Sequence, residues 1–222
     1  MAEKKERKPI NWRRVGIGTL VGVVLAWFVL HDSPTLHKSV IATTYAVGED
    51  APGGARTSSA WDAKWRQHFG GIDTPGKRQN HDNWPASFTP KENPFYAALP
   101  YSEFSASGKV KKSAERIPWY DSDRPPAPGR SILKNRWIKV TFGSKEVYVQ
   151  WEDAGPGGTD DVEYVFGDKP PKHKAAGIGL SPAALFYLQA QNGDAVDWQF
   201  VEESQVAVGP WKNIVTTRRM TQ

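Results

Sequence analysis

The sequence contains no cysteine, and its excess of positive charge is small. The absence of cysteine excludes disulfides, thiol catalysis and cysteine-ligated zinc. The HExxH, P-loop and GxSxG motifs and a complete dinucleotide-binding glycine pattern are also missing. We therefore predict that the protein has no metal site and no cofactor.

The net charge of +5 is concentrated at the N-terminus. Residues 1–14 hold six basic and two acidic side chains, whereas the other 208 residues hold 23 basic and 22 acidic ones. The pI of about 9.3 therefore does not describe a basic domain. Because nucleic-acid binding depends on a clustered basic surface, we predict no nucleic-acid partner.

An uncharged apolar run at residues 15–30 follows the basic segment. As a helix it would be about 24 Å long, close to the apolar thickness of a bilayer at about 30 Å. The positive-inside rule predicts a single-pass signal anchor in the inner membrane, with residues 1–14 in the cytoplasm and the bulk in the periplasm or outside the cell. A cleaved signal peptide is the alternative, although no Ala-x-Ala site follows the run.

The remaining chain is long enough for one domain with a sizeable core. Residues 31–39 form a predicted tether, and residues 40–222 form the domain. Two loop-rich stretches, 51–92 and 101–130, are predicted to be insertions. A helix is expected at 58–69, where aromatic residues recur every four positions before two glycines.

The second half of the domain has the alternating pattern of β-strands. Trp137–Phe142 and residues 146–151 predict a hairpin joined by a compact glycine-containing turn. Ser181 and Pro182 predict the start of a short helix that ends at Leu188. Ala195–Val201 predicts another strand, and 206–208 and 213–217 predict weaker ones. The expected class is mainly β with short helices.

The order of these motifs carries a family resemblance. A strand runs into the turn at 153–156 (DAGP), the segment 179–181 (GLS) opens the short helix, and a tryptophan-bearing strand follows. Upstream, residues 43–45 match an opening strand and 95–100 (FYAALP) a short strand. This order resembles the double-psi β-barrel of rare lipoprotein A, expansins, barwin and glycoside hydrolase family 45. The resemblance implies a six-stranded double-psi β-barrel with long loop insertions.

The resemblance also implies functional positions, and several of them are altered. Asp153 matches the aspartate that lytic transglycosylases resembling rare lipoprotein A are thought to use. Their partner histidine falls at Tyr96, and the aspartate of the Asp-Leu-Ser segment is Gly179. Tyr45 matches an aromatic residue of the opening strand, but the aspartate two residues later is Val47.

The candidate residues follow from this comparison and from the chemistry of glycan cleavage, which usually needs two carboxyl groups. The catalytic candidates are Asp153, Tyr96, Asp160 and Asp161. The glycan-binding candidates are Tyr45, Trp84, Trp119, Trp151 and Trp211. For Asp153 the alternative is a turn-forming carboxylate that accepts backbone N–H groups, and for the loop tryptophans it is a role in holding their loops on the barrel.

Two functions remain open at this point. The first is a membrane-anchored bacterial envelope protein whose barrel binds a cell-wall glycan such as peptidoglycan. Whether this barrel also cleaves the glycan, by a hydrolase or lytic transglycosylase reaction, is left open by the sequence. The second is a non-catalytic protein-interaction module of an inner-membrane assembly. The altered positions at Tyr96 and Gly179 favour the second function over catalysis.

Overall fold

The computed structural model describes residues 34–51, 54–79 and 83–219. The strands in this part of the chain are β1 His37–Thr44, β2 Asp50–Ala51, β3 Gly54–Ala55, β4 Tyr96–Leu99, β5 Trp137–Phe142, β6 Lys145–Ala154, β7 Ile178–Leu180 and β8 Ala195–Val201. The α-helices are α1 Trp65–Phe69, α2 Val162–Val165 and α3 Pro182–Leu188. Short 3-10 helices cover Lys112–Arg116, Glu203–Gln205 and Pro210–Lys212.

Six of these strands form a closed barrel in the order β1-β7-β4-β6-β5-β8, and β8 pairs with β1 to close it. The pairs β1–β7 and β4–β6 are parallel, and the other four are antiparallel. Closure leaves no unpaired barrel edge. The predicted class, mainly β with a six-stranded barrel and few short helices, is confirmed.

The predicted hairpin is the antiparallel pair β5–β6, in which Val140 lies opposite Val147. Its apolar positions point into a core that includes the fully buried Ile138 and Val149. The same core holds the indole rings of Trp151 and Trp198. The period of two identified these segments as strands, but burial does not follow it in β6, where residues 147–153 are all buried.

Two sequence predictions place boundaries differently from the structure. The helix predicted at 58–69 begins only at Trp65, because Ser59 and Asp62 form an isolated bridge and the Asp62 side chain accepts the Lys64 N–H. Strand β1 begins at His37, so the last three residues of the predicted tether belong to the barrel. The weaker strands predicted at 206–208 and 213–217 are wrong, since these residues form no strand.

The first insertion packs on the barrel through a second apolar cluster. This cluster contains Tyr45, Val47, Trp65, Phe69, Tyr96 and Ala98. The second insertion is linked to the first by Glu103, whose carboxylate accepts hydrogen bonds from the Trp61 indole of the first insertion and from the Ser131 hydroxyl. Buried side chains thus fix the first insertion to the barrel and the second insertion to the first.

The predicted anchor at 15–30 lies outside the described residues. Within the part of the chain that the structure does describe, no helix combines the length and the apolar character that crossing a bilayer requires.

Candidate functional site

Asp153, the central residue of the predicted site, is a buried residue next to the C-terminal end of β6. Only 5% of its surface is exposed. Its Oδ2 accepts a hydrogen bond of 2.6 Å from the Tyr45 hydroxyl. Its Oδ1 accepts hydrogen bonds from the backbone N–H groups of Ala60, at 2.6 Å, and Ala154, at 2.7 Å. The fold therefore brings Tyr45 and Asp153 together, and the first insertion supplies a third donor through Ala60.

Burial raises the pKa of Asp153 to about 6, while the hydrogen bonds from Tyr45, Ala60 and Ala154 and the positive charge of Arg56 lower it. The Arg56 guanidinium lies 4.0 Å from the centre of the Tyr45 ring. Burial, followed by the negative charge of Asp153, raises the pKa of Tyr45 above its ordinary value. The pair is therefore a neutral phenol that donates to a partly desolvated carboxyl group.

Tyr96, where the resemblance places a histidine, belongs to a different network. Its hydroxyl donates to Asp73 Oδ2 over 2.8 Å and accepts the Val47 N–H over 2.9 Å. Arg78 pairs with the other oxygen of Asp73. Burial and the nearby Asp73 charge raise the pKa of Tyr96 well above its ordinary value. Tyr96 thus fixes the first insertion and makes no hydrogen bond to Asp153.

The two acids of the Gly-rich loop also have partners of their own. The Asp160 side chain is 73% exposed and pairs with Lys111. Asp161 is buried, and its Oδ2 accepts the Lys172 N–H over 2.7 Å. Neither carboxylate hydrogen-bonds to the Tyr45–Asp153 pair among the described residues, so the structure does not assemble the expected pair of carboxyl groups.

The predicted aromatic residues are mostly internal. Tyr45, Trp151 and Trp211 are buried, and the indole N–H groups of the two tryptophans donate to the carbonyls of Asp153 and Ala207. Trp84 and Trp119 are half-buried. The Trp119 indole donates to Ile132 O over 2.9 Å, and the Arg136 guanidinium covers its ring at 4.3 Å. These contacts match the loop-holding alternative for Trp119.

A cleft of about 430 Å³ opens beside the turn that holds Asp153. Its lining is Ala60, Ser102, Phe104, Ser105, Ala106, Gly108, Gly129 and Thr159. We call it the neutral cleft, because none of these side chains is ionisable. Ala60 connects the two features, since its N–H donates to Asp153 while the residue also lines the cleft. Hydroxyl groups, one aromatic ring and backbone groups suit an uncharged, hydroxyl-rich ligand.

A second cleft, of about 370 Å³, has a different chemistry that sequence reasoning missed. It is lined by Gln67, His68, Lys91, Glu92 and residues 215–218, and we call it the Glu92 cleft. The His68 ring nitrogen Nδ1 lies 2.7 Å from Asp62 Oδ2. A buried ion pair, Lys134–Glu152 at 2.7 Å, interacts electrostatically with Glu92. These residues are far apart in the sequence and match no spaced motif, so only the folded chain shows the cluster.

The comparisons with known proteins establish no family. No family model matches the chain, and no curated protein matches it either. Among solved structures, the chain is similar to "Streptomyces papain inhibitor (SPI)", with 17% identity over 58% of this chain and 87% of that chain, at a TM-score of 0.27. A match at that TM-score carries no argument about fold or function.

Proposed function

We propose that the protein is a membrane-anchored bacterial envelope protein whose barrel binds a cell-wall glycan without cleaving it. The observation that carries this proposal is the neutral cleft near Asp153, whose lining includes Thr159, two serines that are hydrogen-bonded within the protein, and Phe104. Sugar rings present hydroxyl groups and apolar faces, so a lining of this kind can pair with both.

The hydrogen bonding of Asp153 supports binding over catalysis. A general acid must reach the glycosidic oxygen, but both Asp153 oxygens already accept internal hydrogen bonds and the residue is 5% exposed. Inverting and retaining hydrolases also need a second carboxyl group at a defined distance. Because no carboxylate lines the neutral cleft among the described residues, the proposed activity is recognition alone.

The proposal includes the finer fold and the anchor. Two parallel strand pairs, β1–β7 and β4–β6, are joined by the antiparallel pair β4–β7, which lies between them in the strand order. This interlocked arrangement, together with the motif order at 153–156 and 179–181, supports a double-psi barrel. The apolar run at 15–30 and its basic flank support a cytoplasmic N-terminus with the barrel outside.

Binding to purified peptidoglycan tests the proposed function. The full chain in detergent should co-sediment with insoluble peptidoglycan and release no soluble fragments during long incubation. Ala106→Trp, which fills the neutral cleft, should abolish co-sedimentation. Ser107→Trp is the matched control, because Ser107 is exposed but does not line the cleft. Released glycan fragments would contradict the non-catalytic proposal, and equal loss in both variants would contradict the assignment to the cleft.

A protein-interaction module of an inner-membrane assembly is the second candidate. It is favoured by Phe186 on α3, which is 53% exposed although the helix residues around it are mostly buried. Cross-linking in intact membranes, with a photoreactive residue at position 186, should then capture a discrete partner. Recovery of the free monomer alone would count against this second function.

A further inference from the structure

The Glu92 cleft has a buried carboxylate with an unused hydrogen-bonding position. Glu92 is 7% exposed and lines the cleft. Its Oε1 lies 3.7 Å from the Arg218 Nε. Its Oε2 is buried and accepts no hydrogen bond from any residue that the structure describes. A buried polar group without a partner is unfavourable, so a donor in the cleft would remove a substantial penalty.

A second unused oxygen lies in the ion pair that interacts with Glu92. Lys134 is fully buried and donates to Glu152 Oε2, whereas Glu152 Oε1 has no partner among the described residues. Removing charges from water is costly unless they are paired and fully hydrogen-bonded. The region therefore holds more acceptor capacity than the protein itself uses.

The buried groups of this cluster carry an excess of negative charge. The buried carboxylates are Asp62, Glu92 and Glu152, and the buried cation that pairs with one of them is Lys134. The other basic groups of the cleft, Lys91, Arg218 and His68, are exposed or partly exposed, so water weakens the compensation that they provide. A ligand cation beside the carboxylates would offset this buried negative charge.

We propose that the Glu92 cleft binds a primary ammonium group, which donates N–H groups to the Glu92 carboxylate. An ammonium has three donors and no acceptor, which matches unused carboxylate oxygens. A metal ion fits less well, because no three His, Asp or Glu side chains in the described residues converge on one point. This site is separate from the neutral cleft and goes beyond the proposed glycan function.

The rim of the cleft adds a second requirement for the ligand. Lys91 is exposed at the opening, and Arg218 is half exposed beside Glu92. Both are cations that would repel a bare diamine but can donate to carbonyl or carboxylate oxygens. The preferred ligand is therefore an ammonium on a flexible chain that also carries carbonyl groups, as in a lysine-type side chain of a peptide.

Binding should strengthen as the pH rises through neutrality. Burial raises the pKa of Glu92 and raises that of Glu152 to about 7, in each case against the lowering effect of Lys134. Below neutral pH, protonation of these carboxyl groups thus competes with a ligand cation. The titratable and charged groups that face Glu92 are Asp62, His68, Lys91, Lys134, Glu152 and Arg218.

The test uses small amine probes and the full chain in detergent. Nα-acetyl-lysine amide and pentylamine are titrated by calorimetry at pH 6 and pH 8, and Nα,Nε-diacetyl-lysine amide serves as the neutral control. We expect the lysine probe to bind at least tenfold more tightly than its diacetyl form, and more tightly at pH 8. If the lysine probe binds more tightly than pentylamine, the ligand is an amine carried by a peptide. If pentylamine binds more tightly, the preference for a peptide is overturned in favour of a free amine. Equal binding of the charged and neutral probes, or no binding of either amine, overturns the proposal.

Two variants locate the site. Glu92→Gln keeps the shape of the side chain and removes its charge, so we expect at least a tenfold loss of lysine-probe affinity. Glu146→Gln is the matched control, because Glu146 is a surface carboxylate that pairs with Lys139 on the barrel wall. Ala106→Trp in the neutral cleft should leave probe binding unchanged. If Glu92→Gln fails to fold, the comparison of charged and neutral probes on the unmodified chain still decides the outcome. If the variant folds and binds the lysine probe as tightly as the unmodified chain does, the assignment of the site to Glu92 is overturned.

Discussion

At the scale of single residues, the Asp153 carboxylate joins separate parts of the chain. Its side chain accepts hydrogen bonds from the Tyr45 hydroxyl and from two backbone N–H groups, and one of these N–H groups comes from the first insertion. The carboxylate therefore fastens the insertion to the end of β6. These hydrogen bonds use both carboxylate oxygens of a side chain that is almost completely buried.

The raised pKa of Asp153 makes a pH-dependent prediction. A carboxyl group that titrates near pH 6 in the folded protein and near 4 in the unfolded chain binds its proton more tightly when folded. Its contribution to stability is therefore lost as the pH rises from about 4 to about 6. An asparagine side chain does not titrate, so the Asp153→Asn variant does not lose this contribution. The unfolding free energy of the variant minus that of the unmodified protein should therefore increase by about 2–3 kcal/mol across this pH range. Above the range the difference should stay constant.

Denaturant unfolding at pH 4, 5, 6 and 7 measures this difference. The matched control is Asp160→Asn, since the Asp160 side chain is 73% exposed and lies in the loop that follows the Asp153 turn. The control should show no such trend. A difference between Asp153→Asn and the unmodified protein that is independent of pH would contradict the assigned burial of the carboxyl group.

The environment of a single residue could be predicted from the sequence only in part. The sequence places Asp153 at the end of a strand, just before Gly155 and Pro156, but not beside Tyr45 and Ala60, which supply two of its hydrogen bonds. The environment of Glu152, the adjacent residue, could not be predicted. Its partner Lys134 and the interacting Glu92 come from other parts of the chain, and only barrel closure brings them together.

At the scale of elements, α3 is the part of the fold that the sequence predicts best. Ser181 caps it by accepting the Ala184 N–H over 3.2 Å, and Pro182 occupies the first turn. The helix α1 was harder, because the Asp62 side chain accepts a backbone N–H that a longer helix would have used. Side chains that compete for backbone groups shorten helices in a way that apolar spacing does not show.

The cap of α3 has a measurable effect on stability. The Ser181 hydroxyl also accepts the Tyr96 N–H over 3.3 Å, so it links the helix to β4. Ser181→Ala removes both hydrogen bonds from a fully buried position, and we expect it to lower the unfolding free energy by about 1–2 kcal/mol. Ser107→Ala, in the exposed second insertion, should change it by less than about 0.5 kcal/mol. Thermal or denaturant unfolding compares the two, and equal stability would show that the cap is dispensable.

At the scale of the whole molecule, the alternating pattern predicts strands but not how they pair. Alternation identified β5, β6 and β8 as strands, and the short apolar segment at 95–100 matched β4. Their arrangement depends on contacts such as β1 with β7 and β4 with β6, which join strands far apart in the chain. The alternating pattern carries no information about such pairings. Composition and pattern alone therefore predict the fold class but not the strand order.

The charge distribution of the whole molecule leads to a last prediction. Outside residues 1–14 the chain is almost neutral, and no ionisable side chain lines the neutral cleft within the described residues. Glycan binding there should therefore change by less than about twofold between about 50 and about 500 mM salt, because there is little charge to screen. Binding of the lysine probe in the Glu92 cleft should weaken severalfold over the same range, since it depends on an ammonium and a carboxylate. Co-sedimentation with peptidoglycan and probe calorimetry, both repeated across the salt series, measure the two responses side by side. A steep loss of peptidoglycan binding with salt would place the glycan contact on a charged surface and contradict its assignment to the neutral cleft.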